Sequence, residues 1–307
     1  MKKEFKYAYI QKQIIPSAYA VIPIQSKAVQ YGLGVFTGIR GNWNPKTKNL
    51  YIFRLEDHYK RLVDASNITG LKFDYSYPEF KKIITNLIKK NRAKEDIYIR
   101  VTIYSASTQL TPRFENDDDD MAIYMISLQD YFNTNEGLNV GISSWRRIDD
   151  DMISTKAKIT GGYSNSALAK TEALKNGYDE AIFLNRDGKV CEATGANIFG
   201  IKNGIIFTPP LSSNNLDGIT RRSMIEIFKK EMRLEVREEE IDRSALYTFD
   251  ELFLTGTAAK IAWIKAVDRR IIGNDKEGKI TQKIRLFFSE ITLGNIKKYQ
   301  KWITKIY

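Results

Sequence analysis

Short β-prone runs alternate with amphipathic helical stretches along this chain, and that alternation limits the fold to a mixed α/β (α+β) architecture. In the first half, β-prone stretches within residues 35–55 flank a turn-rich segment at 41–45, which predicts a hairpin. A helix is predicted from about Leu55, and Pro78 fits the first turn of a second helix. The β-prone runs that follow are 96–105 and 121–128. These elements predict a smaller N-terminal α/β domain, residues 1–129.

The second half predicts a larger C-terminal domain, residues 138–307, after a polar and turn-prone interdomain loop at 130–137. The hairpin-turn dipeptides Asp187-Gly188 and Asn203-Gly204 separate short β-prone runs. The predicted strands are 138–144, 180–184, 197–201 and 205–208, and the predicted helices are 166–176, 220–232 and 280–293.

Composition favours a cytoplasmic globular protein. The chain has 307 residues, 43% of them hydrophobic, which is enough for two domains with a core each. The single cysteine, Cys191, excludes an intrachain disulfide framework, and we expect it to be a buried small side chain. No segment has a signal-peptide pattern or approaches the roughly 20 consecutive apolar residues that cross a bilayer. The chain is therefore predicted to be soluble, with no membrane partner.

The formal charge of +11 leaves nucleic-acid binding as a distant alternative. The lysine pairs are dispersed among apolar helix positions, which favours a basic surface that keeps the protein soluble, and no nucleic-acid-binding motif is recognisable. The acidic run 117–120 lacks metal-ligand spacing, and His58 is the only histidine, so no metal site is predicted. His58 itself is expected on a helix surface or behind the functional residues.

Two residues of the second half suggest a specific chemistry. Lys158 lies in Ala157-Lys158-Ile159-Thr160-Gly161-Gly162-Tyr163, and Glu192 lies in Val190-Cys191-Glu192-Ala193-Thr194. A lysine amine can form a Schiff base with the aldehyde of pyridoxal phosphate, and a carboxylate can hold the pyridine nitrogen protonated. Because Lys and Arg together number 48, neither residue is informative without its neighbours.

Those neighbours resemble the branched-chain aminotransferase family of fold-type IV pyridoxal phosphate enzymes. The resemblance extends from about residue 26 to residue 267 and consists of separate motifs in the family's order. The motifs are residues 31–40, 53–62, 98–100, Lys158, Glu192, 216–221 and 255–259. It implies a two-domain fold-type IV aminotransferase-like architecture, pyridoxal 5'-phosphate as the cofactor, and Lys158 as the catalytic residue.

The resemblance also implies how the cofactor is held. A glycine turn that leads into a helix at 216–222 can bind the phosphate through free amides, and Arg61 can complete that site. Tyr163 is expected to bind the phenolic oxygen of the cofactor, and Glu192 its pyridine nitrogen. The predicted cofactor-binding residues are Lys158, Arg61, Tyr163, Glu192, Gly195, Ala196, Asn197, Leu216, Gly218, Ile219, Thr220, Gly256 and Thr257.

A substrate pocket is implied in the same way. Arg100 is expected to bind the second carboxylate of glutamate or 2-oxoglutarate, and Tyr98 to contribute to recognition. Tyr31 is expected from the partner subunit of a dimer, whereas Phe36 is as well explained by core packing. The predicted substrate-binding residues are Tyr31, Phe36, Gly38, Arg40, Tyr98, Arg100, Thr257 and Ala258.

Three positions depart from the family pattern. Thr37 stands where the family usually has Glu, Ala196 replaces a common Glu, and Gln129 lies near the place of an interdomain Trp. These departures leave the predicted cofactor site intact. Their effect is expected on the pocket that binds the branched side chain of the substrate.

The predicted activity is transfer of the amino group of leucine, isoleucine or valine to 2-oxoglutarate, with Lys158 as acid and base. The products are glutamate and a branched 2-oxo acid, and the predicted assembly is a homodimer or a higher homo-oligomer. D-amino acid aminotransferase, (R)-amine transaminase and aminodeoxychorismate lyase share the fold and the cofactor. The Tyr98-Ile99-Arg100 motif favours the branched-chain interpretation over these three.

Overall fold

The computed structural model describes residues 5–114, 118–129, 131–133 and 136–307. Its α-helices are α1 Lys27–Tyr31, α2 Leu55–Thr69, α3 Tyr77–Lys90, α4 Tyr163–Lys175, α5 Ile219–Ile227 and α6 Lys279–Thr292. Its strands are β1 Tyr7–Ile10, β2 Gln13–Pro16, β3 Gly34–Asn44, β4 Asn49–Phe53, β5 Ile97–Ser105, β6 Asp119–Ser127, β7 Leu138–Arg146, β8 Glu180–Leu184, β9 Val190–Ala193, β10 Asn197–Lys202, β11 Ile205–Thr208, β12 Val236–Glu238, β13 Glu251–Gly256, β14 Lys260–Val267, β15 Arg270–Ile271 and β16 Ile303–Lys305. Short 3₁₀ helices occupy Ser17–Tyr19, Leu211–Ser213, Arg243–Thr248 and Lys297–Trp302, and a π-helix occupies Phe228–Met232.

The chain divides into two compact units. The first unit comprises the described residues of 1–129, 157–161 and 289–307, and the second those of 130–156 and 162–288. Residues 157–161 and 289–307 are predicted from sequence to belong to the C-terminal domain, whereas the structure groups them with the first unit. Backbone pairing is the reason, because β16 pairs with β4 and the amide of Phe36 donates to the carbonyl of Lys158 at 2.9 Å. The predicted interdomain loop lies partly on residues 130, 134 and 135, outside the described residues.

The first unit contains a seven-stranded antiparallel sheet in the order β16-β4-β3-β5-β6-β1-β2. Helix α2 packs on β3, and α3 packs on α2 and on β1. The core residues between these helices and the sheet include Val35, Ile39, Leu62, Phe80, Ile84 and Val101. Since side chains alternate along a strand, every second residue of β3 from Phe36 to Asn44 points away from this core.

The second unit contains the other sheet, in the order β12-β11-β10-β13-β14-β7-β8-β9, with β15 paired to β14. Strand β7 pairs in parallel with both β14 and β8, and β11 pairs in parallel with β12. The remaining pairs are antiparallel. Helix α4 packs on β7 and β8, and α5 packs on β13. This arrangement places β9 at one edge of the sheet and the β13–β14 hairpin near its middle.

Most predicted elements are present, and one prediction is wrong. Residues 41–44 belong to β3, where they pair with residues 49–52 of β4, and the connection is the later segment 45–48. The Gly, Asn and Pro residues there suggested a turn, but Asn42 and Asn44 are buried strand residues. The side-chain amide nitrogen of Asn44 donates to the carbonyl of Leu293 at 2.8 Å. This tertiary contact overrides the local turn preference.

Two further observations concern Cys191 and the lengths of the helices. Cys191 is buried as predicted, and burial raises the pKa of its thiol well above the usual range. No helix in the described part of the chain is long and apolar enough to span a membrane.

Candidate active site

The face of β3 that points away from the helices presents Phe36, Gly38 and Arg40. Gly38 pairs with Arg100 of β5, and Arg40 pairs with Tyr98, so these side chains share one face of the sheet. A Cβ atom on Gly38 would lie 2.1 Å from the hydroxyl oxygen of Tyr98. A larger residue at position 38 would therefore displace the Tyr98 ring, which lies across the glycine.

Two cationic groups lie against the Phe36 ring. The guanidinium carbon of Arg100 lies 4.1 Å from the ring centroid, and Nζ of Lys158 lies 5.0 Å from it. Phe36 is only 4% exposed, so both contacts are made in a largely desolvated environment. Within the described part of the chain, Arg100 forms no hydrogen bond or ion pair, and its Nε atom is buried. A half-buried guanidinium without a counterion indicates a site for an anion.

Arg40 is engaged differently from Arg100. Its Nη2 atom lies 3.3 Å from a carboxylate oxygen of Asp96 and donates to the carbonyls of Leu128 and Gln129 at 3.1 and 2.8 Å. These contacts anchor the residues that follow β6. The predicted role of Arg40 near the substrate carboxylate stays a prediction.

On the opposite face of β3, Thr37 joins two residues of α2. Nη2 of Arg61 donates to the Thr37 hydroxyl at 2.9 Å, and Nδ1 of His58 lies 2.8 Å from the same oxygen. Thr37 and His58 are both buried, so His58 lies behind Arg61 and not on the helix surface. The hydroxyl of Thr37 thus connects the only histidine to the arginine that was predicted to bind phosphate.

Two predicted residues lie at helix ends in separate units. Tyr31 is the last residue of α1, and its hydroxyl donates to the carbonyl of Leu110 at 2.5 Å. Tyr163 is the first residue of α4. Their assigned contacts with substrate and cofactor stay predictions.

In the second unit, Glu192 of β9 is a buried carboxylate surrounded by nitrogen atoms. The side-chain amide of Asn197 and the backbone amide of Leu216 both donate to Oε2, at 3.2 and 3.1 Å. Nε of Arg147 lies 3.0 Å from Oε1 and forms an ion pair with it. The Nε hydrogen does not point along this contact, so it is not a directed hydrogen bond. Arg147 is not among the residues predicted from sequence, because no spacing or motif connects the residue that follows β7 with β9.

The N-terminus of α5 provides an anion-binding position. Gly218 is its N-cap residue, and Ile219 and Thr220, both buried, supply free backbone amides in the first turn. A Cβ atom on Gly218 would lie 2.0 Å from Oδ1 of Asn197, whose amide nitrogen donates to the carbonyl of Leu216 at 2.9 Å. Asn197 therefore connects Glu192 to the loop that precedes α5.

The β13–β14 hairpin supplies the second small-residue loop, with Thr257 and Ala258 in its turn between Gly256 and Lys260. A Cβ atom on Gly256 would lie 3.4 Å from the carbonyl oxygen of Gly195 and 3.6 Å from the side chain of Ala196. Thr255 is buried, and its hydroxyl has no hydrogen-bond partner among the described residues. Thr255 is not among the predicted site residues, because nothing in the sequence distinguishes a buried threonine from an exposed one.

These residues fit pyridoxal phosphate. In the second unit, Glu192 is a buried carboxylate that suits a protonated ring nitrogen, and the N-terminus of α5 with Thr220 suits a phosphate. In the first unit, Lys158 supplies the amine that the aldehyde of the cofactor requires.

Comparison with known proteins decides the family. The family model described as amino-transferase class IV matches residues 34–267. A probable branched-chain-amino-acid aminotransferase of Aquifex aeolicus is 42% identical, over 100% of this chain and 99% of that protein. The chain belongs to the class IV aminotransferases of the branched-chain type. The predicted family, its dependence on pyridoxal phosphate and its aminotransferase class are confirmed.

Solved branched-chain aminotransferases have the same fold. The enzyme of Thermoproteus uzoniensis, crystallised with norvaline, is 38% identical and superimposes with a TM-score of 0.94, over 99% of this chain and 100% of that chain. The T.th. enzyme is 30% identical, with a TM-score of 0.92 and 99% of both chains covered, in complexes with N-(5'-phosphopyridoxyl)-L-glutamate and with 4-methylvaleric acid. The predicted mixed fold-type IV architecture is therefore confirmed.

Proposed function

We propose that this aminotransferase moves the amino group of leucine, isoleucine or valine to 2-oxoglutarate, giving glutamate and a branched 2-oxo acid. The observation that carries the proposal is the Phe36 ring, against which the Lys158 amine and the unpaired Arg100 guanidinium both lie. An aminotransferase that uses glutamate requires two such groups. One is an amine that can carry the cofactor, and the other is a cation that binds the second carboxylate of glutamate.

Arg100 and its neighbours account for the use of two unlike substrates. The guanidinium can bind the side-chain carboxylate of glutamate or 2-oxoglutarate in a charge-assisted hydrogen bond. The rings of Phe36 and Tyr98 offer apolar surface to an aliphatic side chain, and the Arg100 guanidinium lies against both rings. Complexes of the T.th. enzyme with a glutamate adduct and with an aliphatic acid support this interpretation.

The remaining roles follow from the chemistry of each residue. When bound, pyridoxal phosphate withdraws electrons from the substrate carbon that loses a proton. Lys158 would carry the cofactor and then move the proton at the substrate Cα as acid and base. Glu192 would bind the ring nitrogen and Tyr163 the phenolic oxygen. The residues proposed for the phosphate are Arg61 in the first unit, and Thr257 and the first turn of α5 in the second.

A donor panel with 2-oxoglutarate as acceptor tests the proposal. The holoenzyme is incubated with L-leucine, L-isoleucine, L-valine, D-alanine and an (R)-amine, and glutamate formation is measured by chromatography. We expect the three branched-chain L-amino acids to give the highest kcat/KM values. Turnover of D-alanine or the (R)-amine, with none of any L-amino acid, would contradict the proposal and favour the alternative fold-type IV activities.

The proposal includes a homodimer that forms through an exposed apolar surface of the first unit. The residues of this apolar surface are Tyr19, Val21, Ile24, Val29, Tyr31, Leu110 and Phe114, all exposed. Its two segments are joined by the hydrogen bond from Tyr31 to Leu110 and by another from the amide of Lys27 to the carbonyl of Ser107. Contiguous exposed apolar patches commonly mark interaction surfaces.

Sedimentation velocity tests the dimer. Leu110→Asp, at a residue that is 87% exposed, is expected to shift the protein from dimer to monomer because a buried charge costs association free energy. Leu286→Asp, at an exposed leucine of α6, is the matched control and should leave the dimer intact. A parent protein that sediments as a monomer, or two variants that behave alike, would contradict the assignment of this surface.

A cytoplasmic location is also part of the proposal. It rests on the single cysteine, Cys191, which is buried and has no cysteine to pair with in the chain. Fractionation of the source cells, with the activity measured in each fraction, tests it.

A further inference from the structure

The two oxygens of the Glu192 carboxylate are held in different ways. Oε2 accepts two hydrogen bonds, from Asn197 at 3.2 Å and from the Leu216 amide at 3.1 Å, so both of its lone pairs are engaged. Oε1 accepts no directed hydrogen bond from the described residues, and Nε of Arg147 lies 3.0 Å away. Oε1 is therefore the oxygen that can accept a hydrogen bond from a ligand, and it is the one beside the guanidinium.

Arg147 is fixed in place by its surroundings. Its side chain is 12% exposed, and its backbone amide donates to the carbonyl of Leu184 at 2.9 Å. Nη1 lies 3.4 Å from Oδ1 of Asn165, a residue of α4 whose amide nitrogen donates back to the carbonyl of Arg146 at 3.0 Å. The guanidinium carbon also lies 5.8 Å from the centroid of the Phe183 ring. The positive charge beside Oε1 therefore has a fixed position.

We propose that Arg147 is a positioning residue that keeps the shared proton on the ring nitrogen of the cofactor, and not on Glu192. The inference rests on the proposed function, in which Glu192 faces that nitrogen. A proton between the two groups can reside on the nitrogen or on Oε1. The guanidinium lies 3.0 Å from Oε1, and a ring nitrogen that hydrogen-bonds to Oε1 from the other side would lie farther from it. The positive charge therefore disfavours a proton on Oε1 more strongly than a proton on the ring nitrogen.

Asn197 and Leu216 have a complementary role. Both are hydrogen-bond donors toward Oε2, so they orient the carboxylate without adding a full charge. Only Arg147 contributes a cation within salt-bridge distance of Glu192 among the described residues. Removal of Arg147 would leave the orientation of Glu192 largely unchanged but would alter where the proton resides. The proton position is therefore the property to measure.

The test is ¹⁵N NMR of the holoenzyme loaded with pyridoxal phosphate that is labelled at the ring nitrogen. The parent should show a pyridinium resonance, and Glu192→Gln should move it to the position of a neutral pyridine. Arg147→Met should move the resonance toward the pyridine position, whereas Arg147→Lys, which retains the charge, should stay close to the parent. We also expect the rate constant of the leucine half-reaction to fall about tenfold or more in Arg147→Met.

Lys170→Met is the matched control. It removes a cation that lies 3.0 Å from another buried carboxylate, Glu180, in the same unit. If loss of a buried ion pair destabilises the fold in general, the melting temperatures of Arg147→Met and Lys170→Met should both fall. Of these two variants, only Arg147→Met should move the ring-nitrogen resonance. If Arg147→Met does not fold, Arg147→Gln replaces it with the same expectation.

The outcomes separate this inference from the proposed function. A parent-like resonance in Arg147→Met or Arg147→Gln, beside a shifted one in Glu192→Gln, would overturn the inference and leave the proposed function standing. An unshifted resonance in Glu192→Gln would remove Glu192 from the ring nitrogen, and both statements about Glu192 would fail. A shift in Lys170→Met equal to that in Arg147→Met would also overturn the inference, because the effect would then be general.

Discussion

The Thr37 hydroxyl accepts a hydrogen bond from Nη2 of Arg61 at 2.9 Å, which links Arg61 of α2 to β3. The predicted family pattern has Glu at this position, so a neutral hydroxyl here replaces a charged partner. A hydroxyl orients the guanidinium without neutralising it. Thr37 is therefore expected to act on phosphate binding by orienting Arg61.

Thr37→Val is expected to weaken the binding of pyridoxal phosphate, because it removes the hydroxyl at nearly constant volume. A hydrogen bond to a charged group contributes roughly 1.5–3 kcal/mol, which corresponds to about tenfold or more in the dissociation constant. Titration of the apoprotein with the cofactor, followed by fluorescence, measures the change. Thr37→Ser retains the hydroxyl and should bind as the parent does, and equal losses in the two variants would show that the hydroxyl has no role.

Arg100→Leu should impair the half-reactions with glutamate and 2-oxoglutarate far more than the half-reaction with leucine. Only the acidic substrates use the guanidinium, and loss of a charge-assisted hydrogen bond costs roughly 1.5–3 kcal/mol for the ligand that makes it. Single-turnover absorbance measurements follow each half-reaction separately. Equal losses for leucine and glutamate would place the guanidinium elsewhere than at the distinguishing carboxylate.

Local patterns predicted much of the fold, and α3 shows why. Pro78 lies in its first turn, Ser76 and Glu79 form a capping box, and the apolar residues recur at helical spacing. Each of these signals relates residues three or four positions apart, so it can be recognised in the sequence alone.

Contacts between distant segments could not be predicted in this way. The pairing of residues 157–161 with β3, the β16–β4 pair and the ion pair of Arg147 with Glu192 all join segments far apart in the chain. Their formation depends on tertiary packing, and no spacing rule in the sequence encodes it. Lys158 and Glu192 were predicted only through their resemblance to a known motif order.

Gly218→Ala should destabilise the protein and reduce its affinity for the cofactor. The new Cβ atom would lie 2.0 Å from Oδ1 of Asn197, so the loop before α5 or the Asn197 side chain must move. Overpacking of this kind costs about 1–3 kcal/mol. Calorimetry and cofactor titration measure both effects. Gly195→Ala is the control for stability alone, because a Cβ atom there meets nothing within 4 Å. Identical unfolding temperatures for the two variants would contradict the prediction.

The carboxylate of Glu172 should stabilise the fold only above acidic pH. Burial disfavours its charge, but hydrogen bonds from Ser143 and from the side chain and backbone of Ser144 outweigh that effect and lower the pKa of Glu172. Because the folded pKa lies below the unfolded one, the stabilisation is present at neutral pH and is lost as the pH falls through the folded pKa.

Melting temperatures of the parent and of Glu172→Gln between pH 7 and pH 3 test this prediction. The parent should be the more stable at pH 7, and the difference should shrink below the ordinary glutamate pKa of 4.5. Glu240→Gln, at an exposed carboxylate, controls for the loss of one negative charge. A difference that does not change with pH would show that the ionised carboxylate is not the stabilising group.

The most direct test of the central claim is the identification of the lysine that carries the cofactor. The purified holoenzyme is reduced with borohydride, digested, and mapped by mass spectrometry. We predict a single labelled peptide with the cofactor on Lys158, whose amine lies 5.0 Å from the Phe36 ring centroid. Lys156 donates to the carbonyl of Leu211 at 2.8 Å, and Lys170 is paired with Glu180 at 3.0 Å. A label on Lys156 or Lys170, or no covalent label at all, would contradict the account.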